Sequence, residues 1–183
     1  MNITILNGEN LNDPSGFTDF IHALSEEIKG DHIVEVFDIK SMNINYCTGC
    51  WSCWWKTPGL CAIKDDAEQI IRSVINSDLV VFASPLHAGF TSSTLKKITD
   101  RLIVLIHPYT QIRNNENHHQ KRYDKYPNFG LILDLESDTD ETDIRIISDI
   151  YDRFAINFHS EKKFLKIKDR HTKEEILDEI INN

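Results

Sequence analysis

Apolar and polar positions follow two periods along the chain, and the switches between them mark out its elements. Residues 2–6 form a short β-prone run, with Ile3, Ile5 and Leu6, that stops at Asn7-Gly8. After a polar stretch through Pro14 and Gly16, Phe17, Phe20, Ile21, Leu24 and Ile28 recur at three- and four-residue steps. That stripe predicts a helix over residues 17–29, ended by Gly30. Residues 32–39 predict a second strand, and Ile70, Ile71, Val74 and Ile75 predict a helix over 67–77 opened by Asp65 and Asp66. Residues 79–84 are almost continuously apolar, the pattern of a strand buried on both faces.

Residues 85–92 predict a loop. Ser92 or Ser93 then caps a helix carrying Leu95, Ile98, Leu102, Ile103, Leu105 and Ile106 and ending before Pro108. Residues 109–127 are polar and without a clear period, a connection longer than most. A fourth strand over 128–134 follows, then a helix marked by Ile144, Ile147, Ile150, Tyr151 and Phe154. A fifth strand over 163–167 precedes a last helix that Thr172 and Glu175 cap as a box, with Ile176, Ile180 and Ile181 as its apolar side.

Five alternations of strand and helix with no linker or repeat predict one domain over residues 1–183, with a parallel sheet covered on both faces. A doubly wound sheet of this size in the order 2-1-3-4-5 opens a ligand crevice at the carboxyl ends of strands 1 and 3. The loops there are residues 7–16 and 85–92, and the loop after strand 2 leaves from the same end. Residues 7–16 precede a helix N-terminus, an arrangement suited to an anion, with Asn10, Asn12 and Ser15 as donors; Glu9 and Asp13 oppose one.

Composition narrows the classes. The chain has 183 residues, 40% of them hydrophobic, and a net charge of −9 with no clustered basic patch, which argues against nucleic acid as a partner. No apolar run reaches the length of a membrane span, and the first residues do not form a secretion signal, so a cytoplasmic location is expected. In that reducing setting the four cysteines read as ligands or redox groups.

All four lie in the cysteine-rich loop 45–64. Cys47, Cys50 and Cys53 are each two residues apart, and Cys61 follows seven residues later. The spacing suits four thiolates around an iron-sulfur cluster or a structural zinc, and three cysteines in a run favour the cluster. Alternatively the thiols bind nothing. Trp51, Trp54 and Trp55, interleaved with them, would shield such a group, face a partner subunit, or pack beneath the loop. His107, His118 and His119 read as solvated side chains or as contacts to a substrate phosphate beside Arg113, Lys121 and Arg122.

Together the early Asn7-Gly8 loop, the cysteine motif followed by Asp65-Asp66, and the stretch from Ser84-Pro85-Leu86-His87 to Asp100-Arg101 resemble the flavodoxin-like NAD(P)H-dependent FMN reductases. Within that group the cysteine motif is similar to that of the iron-sulfur flavoproteins. The resemblance covers roughly the first 110 residues and beyond them is one of fold only. It implies a flavodoxin-like α/β sandwich, FMN with its phosphate on the loop from Gly8 through Asn10 and Asn12 to Ser15, and the flavin ring against Pro85, Leu86, His87, Ala88, Gly89 and Phe90. It further implies a [4Fe-4S] cluster on Cys47, Cys50, Cys53 and Cys61, NAD(P)H as a possible donor, and a homodimer or homotetramer. His87 stands where the family usually has Tyr. The expected function is an FMN-dependent electron-transfer oxidoreductase with a cluster. The alternatives are an FMN or quinone reductase without one, or a non-catalytic redox or metal sensor on the same fold.

Overall fold

The computed structural model describes residues 1–9 and 16–182. The elements in chain order are β1 (Asn2–Asn7), α1 (Phe17–Ile28), β2 (Ile33–Asp38), α2 (Ser52–Trp55), α3 (Ala67–Asn76), β3 (Leu79–His87), β4 (Phe90–Thr91) and α4 (Ser93–Arg101). They continue with β5 (Ile106–Arg113), β6 (Glu116–Lys121), β7 (Asn128–Asp134), α5 (Glu141–Asn157), β8 (Lys162–Ile167) and α6 (Lys173–Ile181). The main sheet runs β2-β1-β3-β7-β8 with parallel neighbours, which is the predicted order of five strands, and β4 adds an antiparallel sixth on the end of β3.

Strand alternation sends Ile3, Ile5, Val81 and Ile132 to one face, where α1 and α6 cover them with Phe17, Ile21, Leu24, Ile176 and Ile180. Leu6, Val80, Phe82, Leu131 and Leu133 take the other face under α3, α4 and α5. Leu79 to Leu86 are buried throughout, as a strand covered on both faces requires. Thr172 with Glu175, and Asp140 with Asp143, close reciprocal capping boxes on α6 and α5. Among the described residues no helix is long and apolar enough to cross a membrane.

The structure differs from the sequence reading in three places. The predicted loop 85–92 is instead the end of β3, a turn and β4. The helix expected to reach Ile106 ends at Arg101, and residues Leu102–Leu105 tighten into a 3-10 turn. Tertiary donors take the carbonyls this turn leaves. Trp54 Nε1 donates to the Ile103 and Ile106 oxygens (3.3 and 3.1 Å), and the Tyr126 hydroxyl donates to Leu105 (2.7 Å). Within the connection read as aperiodic, β5 and β6 pair as an antiparallel hairpin that rests on the end of α5.

Candidate functional site

The carboxyl ends of β1 and β3 meet where strand order reverses, and short polar contacts fix the two loops leaving them. Gly8 N donates to the Ala83 carbonyl at 2.8 Å, continuing the strand pairing by one residue. The Ser92 hydroxyl donates to the Gly8 carbonyl (2.5 Å) and accepts from Leu95 N (3.1 Å), so the N-cap of α4 also holds the first loop. Ser92 N in turn donates to Ser84 Oγ at 2.9 Å. A Cβ on Gly8 would lie 2.6 Å from Leu95 Cβ and 3.0 Å from Ser92 Oγ, so this close approach needs glycine. At the end of β1, buried Asn7 donates to Asp38 (2.8 Å) and Thr18 (3.2 Å), and His22 pairs with the other oxygen of Asp38 at 2.9 Å. Of the expected phosphate residues, Gly8 sits in this network, whereas Asn10, Asn12 and Ser15 lie outside the described residues.

In the second loop Pro85 and Leu86 are buried, His87, Ala88 and Phe90 are exposed, and Gly89 is intermediate. Ala88 and Gly89 both have positive φ (50° and 72°), which suits a two-residue hairpin turn of the primed type between β3 and β4. The β7–α5 connection and the first turn of α5 brace this turn. Glu136 Oε1 lies 2.6 Å from His87 Nδ1, and a Cβ on Gly89 would meet Asp143 Oδ1 at 2.5 Å. The hydrogen bond from His87 holds the Glu136 carboxyl below its usual range.

The cysteine loop does not form a metal centre. Among the described residues no group of three or more His, Cys, Asp or Glu side chains is arranged to hold a metal ion. The four cysteines border one small cavity of about 20 Å3, room for about one water molecule. Cys47 and Cys50 are exposed, while Cys53 packs against the core. The expected [4Fe-4S] cluster on Cys47, Cys50, Cys53 and Cys61 is therefore withdrawn, and the zinc alternative with it. The thiols still sense one another: burial first, then Cys61, Cys47 and Cys50, push the Cys53 thiol up, whereas the Ser52 N–H and hydroxyl draw Cys50 down. Of the tryptophans, Trp54 is buried in the joint with the 3-10 turn, and Trp51 and Trp55 are exposed.

The loop is anchored by a pair that the sequence reading missed. Arg101 and Asp65 have side chains 1% and 0% exposed and meet bidentately, with Nη1–Oδ2 at 2.8 Å and Nη2–Oδ1 at 3.0 Å. Arg101 also donates to the carbonyls of Asn45 (3.0 Å) and Ile63 (3.2 Å), so one guanidinium ties both ends of the loop to α4. Burial pushes the Asp65 carboxyl up, but Arg101 and the N–H groups of Asn45 and Ala67 outweigh it and hold it at about 2. The signal was present: Leu95, Ile98 and Arg101 are three apart, so the arginine belongs to the core face of α4 and needs a buried acid. Asp65 is thus a buried partner rather than a solvated dipole charge.

The histidines of the hairpin are not solvated as a set. His118 is buried with Nδ1 3.2 Å from Asn157 Oδ1, and the His119 ring lies 5.4 Å from that of Trp54. Arg113 approaches His159 Nδ1 at 2.7 Å, away from the switch point.

Comparison with known proteins agrees with this architecture. The family model described as NADPH-dependent FMN reductase matches residues 1–122. An iron-sulfur flavoprotein of Archaeoglobus fulgidus is 38% identical over 81 residues, which are 44% of this chain and 36% of that protein. One from Clostridioides difficile is 28% identical over 109 residues, 58% of this chain and 48% of that protein. The matched stretches thus span less than half of these relatives. Among solved structures, azoreductase AzrA superposes with a TM-score of 0.61 at 12% identity, covering 96% of this chain and 92% of its own. The NAD(P)H:quinone oxidoreductase from Methanothermobacter marburgensis gives 0.60 at 14% identity, covering 97% and 93%. At such identities these two likenesses speak to fold alone.

Proposed function

The chain belongs to the NADPH-dependent FMN reductase family, and from that premise we propose an FMN-dependent oxidoreductase that takes electrons from NAD(P)H and passes them to a small organic acceptor of the quinone or azo class. The observation that carries this reading is the joint at the switch point, where Gly8, Ser84 and Ser92 hold the loops after β1 and β3 together. Ligands of doubly wound sheets bind in that crevice. The exposed turn formed by His87, Ala88 and Phe90 offers an open edge there for a planar ring, which supports the flavin reading.

FMN, when bound, supplies the hydride chemistry. The chain's own contribution is placement. In this reading the loop from Gly8 through Asn10 and Asn12 to Ser15 receives the phosphate, and Pro85, Leu86, His87, Ala88, Gly89 and Phe90 form the ring side, with buried Pro85 and Leu86 fixing the backbone of the exposed turn. The reading needs no metal. Names of the solved neighbours, an azoreductase and a quinone oxidoreductase, support the acceptor class. We further place the protein in the cytoplasm as a homodimer or homotetramer. The exposed Trp51, Trp55 and Tyr46 support a subunit contact at the cysteine loop.

The test is a titration with FMN followed by turnover. One FMN per chain is expected to bind, with quenched flavin fluorescence, and the loaded protein should oxidise NADPH or NADH only when a quinone or azo compound is present or oxygen substitutes for it. A chain that binds no FMN would overturn the proposal.

A further inference from the structure

Two loops that are distant in sequence join at the exposed turn after β3. The register pairs Pro85 of β3 with Asp134 of β7, and carrying it two residues further brings His87 beside Glu136. The Nδ1–Oε1 distance is 2.6 Å, and the two side chains are 45% and 44% exposed. Because an ionised carboxylate only accepts, and Glu136 is held in that form, Nδ1 must be the donor. Glu136 therefore fixes both the rotation and the tautomer of the imidazole, and any proton that the ring exchanges passes through Nε2. Half exposure gives the ring access to water for renewing that proton.

We propose that His87 is the proton donor to the acceptor substrate and that Glu136 is its positioning residue. The inference rests on the flavin reading above. Reducing a quinone to a quinol needs two electrons and two protons. A hydride from the reduced cofactor accounts for both electrons and one proton. The second proton leaves Nε2 of the imidazolium for the acceptor's oxygen anion, or for nitrogen in an azo compound. His87 is left neutral with Nδ1–H still on Glu136, and it regains a proton from solvent. The oxidised flavin that remains is reduced again by NAD(P)H.

The experiment combines kinetics with a readout on the unloaded protein. In FMN-loaded His87→Ala the reoxidation of prereduced flavin by a benzoquinone is expected to slow about 100-fold, as loss of a general acid does. The quinone step should slow far more than reduction by NADPH does, and added imidazole should restore part of the rate. Glu136→Gln should slow the same step, and the double variant should be no slower than His87→Ala, because the residues act as one unit. In the protein without flavin, nitrogen NMR of labelled histidine should find neutral His87 protonated at Nδ1, and Glu136→Gln should move that proton toward Nε2. An unchanged quinone step in a flavin-loaded His87→Ala, or an additive double variant, would overturn the inference alone. Failure of the wild type to bind FMN would overturn the underlying reading as well.

Discussion

Replacing Arg101 by methionine is expected to destabilise the protein by about 3–5 kcal/mol, the cost of leaving one member of a buried ion pair behind. Methionine fills much of the arginine's volume, so the loss comes from charge and hydrogen bonds rather than from a cavity. Asp65 would keep the N–H donors of Asn45 and Ala67 but lose both guanidinium contacts, while the carbonyls of Asn45 and Ile63 would lose their donor. Both ends of the cysteine loop would come loose together. Urea unfolding at neutral pH checks the magnitude.

The same pair predicts an acid limb. The folded Asp65 carboxyl sits at about 2, below its ordinary 3.8. A carboxyl depressed on folding contributes stability that is complete above its unfolded value and is lost as pH falls through the folded one. Wild-type stability should therefore decline between about 3.8 and 2, and Arg101→Met should decline less steeply over that window. Equal slopes for the two proteins would remove Asp65 from the account.

Gly8→Val is expected to cost about 1–3 kcal/mol through overpacking and to lower FMN affinity at least about tenfold, or 1.4 kcal/mol. The added Cβ alone would be driven against Leu95 Cβ and Ser92 Oγ, both fixed by the N-cap of α4. Relief requires moving the first loop off β3, which breaks the bond from Gly8 N to Ala83 and the one from Ser92 to the Gly8 carbonyl. Denaturant unfolding and fluorescence titration with FMN measure the two effects separately. A stable variant with wild-type affinity would show that this joint does not form the cofactor site.

Most of the sheet was legible because its strands are apolar on one or both faces and its helices carry clear stripes. Residues 128–134 and the capping box at Thr172 lie where their patterns put them. The β5–β6 hairpin was not legible, since it buries few side chains, His118 among them, and polar residues occupy most of the rest. Its turn carried a signal nonetheless: Asn114 and Asn115 both have positive φ, a conformation that asparagine tolerates better than most residues. The helix through Ile106 failed for a different reason, because Trp54 and Tyr126 come from elsewhere in the chain to take its carbonyls.

The cysteine motif marks the limit of spacing as a guide. The four cysteines border one small cavity, but spacing does not specify whether the backbone turns the sulfurs toward a common centre. Here Gly49 and Trp51 reverse the chain with positive φ, and the short α2 draws Cys53 inward with Trp54 while Cys50 stays outside. Of the Asp65–Arg101 pair, Asp65 alone had an ordinary surface explanation, as an acid opening a helix, whereas the place of Arg101 on the core face of α4 was the readable signal.

Anaerobic purification followed by a visible spectrum and analysis for iron and acid-labile sulfide tests the central claim most directly. The account predicts, after loading, one FMN per chain with the two absorption bands of an oxidised flavin, and neither iron nor sulfide in stoichiometric amount. Stoichiometric iron and sulfide, with broad absorption beneath or in place of the flavin bands, would contradict it.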